Sequence, residues 1–225
     1  MDSQLHWISL NFFNVMYPKG DIIGKMLAYF STTPIIIVVG LITLTVFRRD
    51  LHTIFLLLGV ILNELLNTVV KKTLRQPRPI ATHNSKLSSY GMPSSHAQFV
   101  GFFCLYLVFF IRFRLNEKFC RPKIRLFFYI ASVVTGALTC YSRLYLLYHT
   151  TEQIVIGLVM GLFLALGWFP LVHSVLTPLF PRICNLSIGR VLMLQDFTRI
   201  PNVFLFEYTN SLNWNRRDQS TRNRG

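Results

Sequence analysis

The stretch GMPSSHAQFVGFFCLYLVFFI, residues 91–111, places two serines and a histidine at the entrance of a long apolar run. The apolar part approaches the roughly 20 residues that an α-helix needs to cross a bilayer. Similar runs recur along this chain of 225 residues, of which 52% are hydrophobic and 14% are charged. The runs do not alternate in polarity as the strands of a membrane barrel do. The sequence therefore predicts an all-α, polytopic integral membrane protein with about five transmembrane helices in one bundle.

The apolar runs also divide the chain into segments. The predicted spans cover about residues 28–47, 51–70, 97–111, 126–141 and 153–173. Residues 1–27 mix aromatic and polar side chains and are predicted to form an interfacial N-terminal lead-in. Residues 28–173 then form the transmembrane domain, and residues 174–225 form a basic cytoplasmic tail. The polar end of the tail is predicted to be disordered.

The distribution of charge predicts the orientation. Because successive spans cross the membrane in alternate directions, one side carries the turn at 48–50, the loop at 112–125 and the C-terminal tail. This side has most of the arginines and lysines that have no other predicted role, so it should be cytoplasmic. The net charge of +14 therefore indicates membrane topology and contact with membrane lipids rather than binding of nucleic acid. The segments at 71–96 and 142–152 share the opposite face, which is lumenal in a eukaryotic secretory membrane. The segment at 71–96 is also basic, although lysine and arginine normally concentrate on the cytoplasmic side. Its positive charge therefore indicates a functional role.

Three polar clusters meet at this opposite face. They are KKTLRQPRP at residues 71–79, MPSSH at 92–96 and YSRLYLLYH at 141–149. Taken singly, each has an ordinary interpretation, because cations bind lipid headgroups at an interface and serines begin helices. A helix N-terminus that begins at the serines would also attract an anion to the first turn, where His96 lies.

Two histidines among several guanidinium and ammonium groups are typical of phosphoryl transfer through a phosphohistidine. One imidazole attacks phosphorus, the other protonates the leaving oxygen, and the cations stabilise the phosphate oxygens. A metal site would need carboxylates, and Glu152 is the carboxylate near this face, so the sequence predicts no metal and no cofactor. The four cysteines lack paired metal-ligand spacing, and neither zinc nor a disulfide is expected.

The three clusters together resemble the signature of the type 2 phosphatidic acid phosphatase superfamily. Lys71 with Arg78 and the following proline fits KxxxxxxRP, residues 93–96 fit PSGH with serine in place of glycine, and residues 142–149 fit SRxxxxxH. The resemblance implies His149 as the nucleophile and His96 as the general acid. It implies that the phosphate is held by Lys71, Arg78, Ser94, Ser95 and Arg143.

One position departs from the superfamily pattern, which asks for aspartate four residues after the last histidine. Here that position is Gln153. Residues i and i+4 share a helix face, so the Gln153 amide oxygen can still accept a hydrogen bond from His149. Glu152 is the alternative orienting residue, because it would supply the negative charge that an amide lacks.

Longer stretches narrow the resemblance to the dolichyldiphosphatases of the endoplasmic reticulum. These are GMPSSHAQF, YSRLYLLYHT, LTPLFPRI at 176–183 and IPNVFLFEYT at 200–209. The resemblance implies hydrolysis of dolichyl diphosphate to dolichyl phosphate and inorganic phosphate at the lumenal face, which recycles the lipid carrier for protein N-glycosylation. Two alternatives remain open: a phosphatase for another lipid phosphate, and a catalytically weak protein that binds or transports anionic lipids.

Overall fold

The computed structural model of the chain describes residues 6–10, 13–79, 90–114 and 121–222. His83, Cys120 and residues 223–225 lie outside these residues. The first elements are two antiparallel strands, β1 (Trp7–Leu10) and β2 (Phe13–Pro18). The helices that follow in the described residues are α1 (Ile22–Phe30), α2 (Thr33–Arg48), α3 (Leu51–Leu74), α4 (Ser95–Phe113), α5 (Pro122–Tyr145), α6 (Thr151–Pro170), α7 (Phe180–Asn185), α8 (Ser187–Val191) and α9 (Val203–Arg222).

Five helical segments in the described chain are long and apolar enough to cross a membrane, which confirms the predicted multi-pass helical architecture. They are Ile22–Arg48, Leu51–Leu74, Ser95–Phe113, Pro122–Tyr145 and Thr151–Asn185. Large apolar side chains on their outer faces remain exposed in the isolated chain, as lipid contact requires.

Several helices begin or end outside their predicted limits. The limits were predicted from apolar length alone, whereas the helices extend into polar sequence that contains their caps. The first span begins at Ile22 rather than near residue 28, since the Asp21 carboxylate accepts a hydrogen bond of 2.9 Å from the Gly24 amide. The last span continues past Pro170 through π-helical and 3-10 turns as far as Asn185.

The first span is interrupted between α1 and α2. Ser31 and Thr32 separate the two helices, and Pro34 lies in the first turn of α2. Proline lacks an N–H group, so it is tolerated at a helix start but removes a hydrogen bond from a helix interior. The break exposes the backbone carbonyl of Ser31 for contacts outside its own helix, and this carbonyl reappears in the candidate active site.

The N-terminal segment contains a β-hairpin, which the all-helical expectation did not include. Leu10 and Tyr17 of the hairpin are buried against Ala28, Leu146 and Tyr148. The Met16 amide donates a hydrogen bond of 2.8 Å to the Tyr148 hydroxyl. The hairpin is therefore packed on the turn that follows α5, next to the predicted catalytic histidine.

Helix α4 lies at the centre of the bundle and packs closely along α6. A Cβ atom added at Gly157 would come within 2.6 Å of the Ser94 carbonyl oxygen, so the close approach of the two backbones requires glycine there. The apolar core between these helices includes Phe102, Tyr106 and Phe169. This packing fixes the N-terminal ends of α4 and α6 beside each other.

At the face opposite the three clusters, residues that follow α8 form hydrogen bonds with the turn between α2 and α3 and with the end of α4. The Leu51 amide donates to the Gln195 carbonyl at 3.0 Å, and the Gln195 amide donates to the Arg49 carbonyl at 2.9 Å. Arg114 donates to the Thr198 hydroxyl at 3.0 Å. The turn at 48–50, the end of α4 and the tail therefore lie on one side, as the alternation of spans predicted.

The prediction of a disordered polar end was wrong for the described part of the tail, which is helical through Arg222. No glycine or proline interrupts residues 203–222, and the Asn202 side chain accepts from the Leu205 amide at 3.0 Å at the start of α9. Glu207 on α9 forms an ion pair of 2.6 Å with Arg48. Composition alone does not register these contacts.

Candidate active site

The first turn of α4 carries the predicted PSSH cluster. Ser94 is the N-cap residue and Ser95 the first helical residue, so His96 lies on the first turn as the sequence predicted. The Ser94 hydroxyl does not cap the helix, which corrects that part of the prediction: it is buried and makes no hydrogen bond with the described residues. The Ser94 amide donates instead to the Gln153 carbonyl at 3.0 Å, which ties α4 to α6.

His149 lies in the tight turn between α5 and α6. The amides of Tyr148 and His149 both donate to the Arg143 carbonyl, at 3.0 and 3.2 Å. Leu147 adopts a left-handed conformation with φ of 56°, which closes the turn. The His149 side chain is 2% exposed, so its orientation is set by the packing around it.

The hydrogen bond of the His149 ring defines its tautomer. The Nδ1 atom lies 3.0 Å from the Gln153 Oε1 atom. An amide oxygen can only accept, so Nδ1 carries the ring proton and Nε2 keeps a free lone pair. No described residue forms a hydrogen bond with Nε2. Burial, together with the positive charges of Arg143 and Arg78, lowers the pKa of His149 from 6.5 to about 3. The ring is therefore neutral at physiological pH, which is the form a nucleophile requires.

Gln153 holds His149 through contacts on both ends of its amide. Its Nε2 group donates to the Pro77 carbonyl at 2.9 Å, which fixes the amide so that Oε1 faces the histidine. A Cβ atom at Gly91 would come 2.6 Å from Oε1, so glycine leaves room for this arrangement. Glu152, the alternative orienting residue, has an exposed side chain and makes no hydrogen bond with His149. The geometry favours Gln153 in the orienting role.

Arg143 is held beside the two histidines although it is 4% exposed. Its Nη1 atom donates to the Ser31 hydroxyl at 3.3 Å, and its guanidinium lies 3.8 Å from the centre of the Tyr148 ring. The Nε atom is buried without a hydrogen-bond partner among the described residues. A buried charged group with an unused donor is costly unless a ligand completes its hydrogen bonds.

Lys71 and Arg78 complete the positive environment. Lys71 lies in the last turn of α3 and interacts electrostatically with Arg78, Arg143 and both histidines. Arg78 follows the end of α3, and its burial lowers its pKa. The structure thus brings together the two predicted histidines and the three predicted cations. Among the described residues, no three histidine, cysteine or carboxylate side chains gather as metal ligands.

His96 contacts the break between α1 and α2. Its Nε2 atom lies 3.1 Å from the Ser31 carbonyl oxygen, so this nitrogen carries a proton and donates it in a hydrogen bond. Sequence reasoning missed Ser31, Tyr148 and Gly91. Ser31 belongs to an apolar run far from the motifs, and its role depends on a separation of 65 residues from His96. Pro34, in the first turn of α2, is a local sequence signal that could have indicated the break.

Comparisons with known proteins agree with this site. Residues 52–176 match the model of the PAP2 superfamily. Dolichyldiphosphatase 1 of Rhinolophus ferrumequinum is 42% identical over 208 residues, covering 90% of this chain and 87% of the relative. Lipid phosphate phosphatase gamma of Arabidopsis thaliana is 35% identical over 206 residues, covering 88% of each chain. The crystal structure of a transmembrane PAP2-type phosphatidylglycerolphosphate phosphatase from Bacillus subtilis aligns with a TM-score of 0.56 at 20% identity, over 68% of this chain and 77% of that one, and shows the fold.

A helical membrane bundle with paired histidines and cations at one face is that of a membrane-embedded phosphatase. The chain belongs to the PAP2 superfamily and, within it, to the family of the dolichyldiphosphatases. The resemblance inferred from the three motifs is thereby confirmed.

Proposed function

We propose that the protein hydrolyses dolichyl diphosphate to dolichyl phosphate and inorganic phosphate through a phosphohistidine formed on His149. The observation that carries the proposal is the contact of His149 Nδ1 with Gln153 Oε1, which leaves the Nε2 lone pair free beside Arg143, Arg78 and Lys71. The 42% sequence identity to a dolichyldiphosphatase, over an alignment that covers 90% of this chain, supports the dolichyl substrate.

In the first step His149 Nε2 attacks the terminal phosphorus in line with the bridging oxygen. The bond between phosphorus and this oxygen breaks, and His96, protonated on both ring nitrogens in this step, gives its Nδ1 proton to the departing dolichyl phosphate while Nε2–H stays on the Ser31 carbonyl. Ser94, Ser95 and Arg143 bind the equatorial phosphoryl oxygens together with Lys71 and Arg78. The Nε atom of Arg143 and the hydroxyl of Ser94, which have no hydrogen-bond partner in the described part of the chain, are donors suited to these oxygens.

In the second step water attacks the phosphorus of the phosphohistidine. His96, which lost its proton in the first step, accepts a proton from this water, and His149 leaves as the neutral imidazole. The Gln153 amide keeps Nδ1 protonated throughout and positions the ring in both steps. An amide stabilises a cationic ring less than a carboxylate does, so the neutral resting form is favoured.

We further propose that the protein resides in the endoplasmic reticulum membrane with the site facing the lumen. The basic turn at 48–50 and the tail lie together on the other side of the bundle, which supports a cytoplasmic position for that side. A site at the membrane surface suits a lipid whose tail is apolar and whose diphosphate is hydrated. The lipid substrate and the surrounding lipids are the expected partners.

The function is tested by phosphate release from dolichyl diphosphate by the purified protein in detergent with EDTA, with phosphatidic acid assayed in parallel. We expect release that prefers the dolichyl substrate and persists in EDTA. Mixing with ³²P-labelled substrate and quenching in alkali should trap acid-labile label on the protein, and His149→Asn should not be labelled. Absence of release from either lipid by the wild-type protein would overturn the proposal.

A second candidate is a phosphatase for another lipid phosphate, which the 35% identity to lipid phosphate phosphatase gamma supports. Faster release from phosphatidic acid than from dolichyl diphosphate would favour it. The orientation is tested separately with a glycosylation acceptor site on a flexible extension at either end of the chain. Because the hairpin contacts the turn that holds His149, the N-terminal extension should be glycosylated and the C-terminal one should not.

A further inference from the structure

A cavity of about 210 Å³ lies between α2, α4 and α5, and its lining is almost entirely apolar. Ile37 of α2, Val100 and Phe103 of α4, and Phe128 and Thr135 of α5 contribute to its walls. All of these residues belong to membrane-spanning helices. The cavity is therefore suited to a hydrocarbon ligand rather than to water or an ion.

The wall formed by α4 begins at the candidate active site. Val100, Phe103 and Leu107 line the cavity, and they follow His96 at intervals of four, three and four residues. This spacing places all four residues on one face of the helix. The eleven residues from His96 to Leu107 correspond to about 16 Å along the helix axis. The cavity thus lies directly below the proposed general acid.

The other walls begin at the same place. Thr135 and Phe128 on α5 lie seven and fourteen residues before Ser142, on the face that carries it. The Ser142 hydroxyl lies 2.8 Å from the Ser31 hydroxyl, which in turn accepts from Arg143. On α2 the lining starts at Thr33, two residues after Ser31. Three helices therefore lead from His96, Ser31 and Ser142, which lie around Arg143, into one apolar cavity.

We propose that this cavity is the subsite for the isoprenoid units nearest the diphosphate of the lipid substrate. The proposal rests on the proposed function and adds the place where the lipid tail is recognised. In this arrangement the first carbons of a tail attached to a diphosphate between His96 and His149 would enter the cavity at the end lined by Thr33 and Val100. A bulk acyl chain would also fit an apolar space, but the continuity of all three walls with the catalytic residues favours a tail that is attached to the bound phosphate.

The subsite predicts that filling the cavity discriminates between long and short tails. Thr135→Phe places an aromatic ring in the cavity about 10 Å from Ser142 along the helix axis. The matched control is Val134→Phe, because Val134 is the next residue, has a similar size and is 48% exposed on the outer face of α5. The assays compare kcat/KM for a polyprenyl diphosphate with kcat/KM for a diphosphate that carries a single isoprenoid unit.

We expect Thr135→Phe to lower kcat/KM for the polyprenyl diphosphate at least about tenfold, since the pocket loses its volume for the tail. Activity on the single-unit substrate should change by less than about twofold in both variants. Retained inhibition by orthovanadate, which mimics the transferring phosphoryl group, reports that the catalytic face is intact.

Leu107→Trp provides an independent variant at the far end of the cavity. It should leave substrates with short tails unaffected and reduce kcat/KM only once the tail is long enough to reach Leu107. A series of prenyl diphosphates of increasing length therefore places the onset of the defect at a longer tail for Leu107→Trp than for Thr135→Phe. This order of onset does not depend on the stability of either variant.

Equal losses on long and short substrates, or a Thr135→Phe profile identical to that of Val134→Phe, would overturn the subsite. Losses independent of tail length would indicate a bound membrane lipid instead. If wild-type protein releases phosphate from the polyprenyl diphosphate while Thr135→Phe does so equally well, the subsite fails and the proposed function stands. If wild-type protein hydrolyses no prenyl diphosphate, both fail.

Discussion

The two ends of the bundle both place a histidine beside an arginine, but they use the imidazole lone pair in opposite ways. At the tail side, His52 Nε2 accepts from Arg114 and lies 3.1 Å from the Thr198 hydroxyl. At the other side, His149 Nε2 has no hydrogen bond with the described residues, and its Nδ1 proton is bound by Gln153. The first ring has its lone pair occupied, whereas the second keeps its lone pair and interacts electrostatically with Arg143, Arg78 and Lys71.

The comparison shows that residue types alone do not identify a nucleophile. The His52 cluster links the tail to the bundle, and Asp50 and Asp196 lie in the same region. Arg143 of the His149 cluster has no carboxylate hydrogen-bonded to it among the described residues, and two buried polar atoms, Arg143 Nε and Ser94 Oγ, lack partners there. Unsatisfied donors beside a free lone pair are what distinguishes a binding site from a structural contact.

The largest difference is expected between the two histidines. His149→Asn should lower kcat by about 10³-fold or more because the attacking atom is removed. His52→Asn should leave kcat near the wild-type value and lower the free energy of unfolding by about 1–2 kcal/mol, since it disturbs a buried hydrogen-bond cluster. Phosphate release and thermal unfolding in detergent measure the two effects. An equal loss of kcat in His149→Asn and His52→Asn would contradict the different roles assigned to the two histidines.

The second largest difference is expected between Arg143 and Arg114, in kcat/KM and in the affinity for orthovanadate. Arg143→Lys keeps the positive charge but removes the planar fork and the stacking on Tyr148, and kcat/KM should fall about 10²-fold. The affinity for orthovanadate should fall with it, because the loss concerns phosphate binding. Arg114→Lys serves as the matched change at the tail side and should preserve vanadate affinity. Weakened vanadate binding in Arg114→Lys would contradict the assignment.

Gln153→Glu should change the pH dependence of the reaction. A carboxylate at the Nδ1 proton stabilises the imidazolium, so the pKa of His149 should rise above its low value of about 3. The acidic limb of the kcat/KM profile should consequently move to higher pH. Activity at neutral pH should fall roughly tenfold, because glutamate cannot donate to the Pro77 carbonyl. A displacement of the limb to lower pH in Glu152→Gln would instead make Glu152 the orienting residue, because loss of its negative charge would lower the pKa of His149.

The smallest effect is expected at Gly91. Gly91→Ala forces the Gln153 amide to move, since the new Cβ would lie 2.6 Å from Oε1, and kcat should fall about threefold to tenfold through misplacement of His149. Gly40→Ala is the control, because a Cβ at Gly40 meets no atom within 4 Å. Steady-state kinetics on both variants measure the difference. Wild-type kcat in Gly91→Ala would show that His149 tolerates a displaced Gln153.

Much of the bundle was predictable because hydropathy and helix geometry are local properties. The spans follow from apolar length, and the alternation of spans placed Lys71, His96, Arg143 and His149 at one face without any tertiary information. The helix start at Ser95 was also predicted, although the role of the Ser94 hydroxyl was not. Capping depends on side-chain orientation, and the orientation of Ser94 is set by its packing against α6.

The N-terminal hairpin and the helical tail were not predicted for a related reason. Both lie in segments of mixed polarity, where periodicity is weak. The hairpin is stabilised by burial of Leu10 and Tyr17 against Leu146 and Tyr148, more than 120 positions away, and α9 contacts the end of α2 through Glu207 and Arg48. Long-range contacts of this kind override local composition.

By itself the sequence determined the class of fold, the shared face of the three motifs and the chemistry proposed for two histidines and three cations. These follow from residue types at fixed spacings, because the spacing along a helix sets the height and the face at which each residue lies. The tertiary structure alone decided that Gln153 fixes the proton on Nδ1 of His149, that the break at Ser31 meets His96, and that an apolar cavity lies between α2, α4 and α5. Each of these depends on atoms brought together from distant parts of the chain, where the free energy of packing rather than local preference sets the geometry.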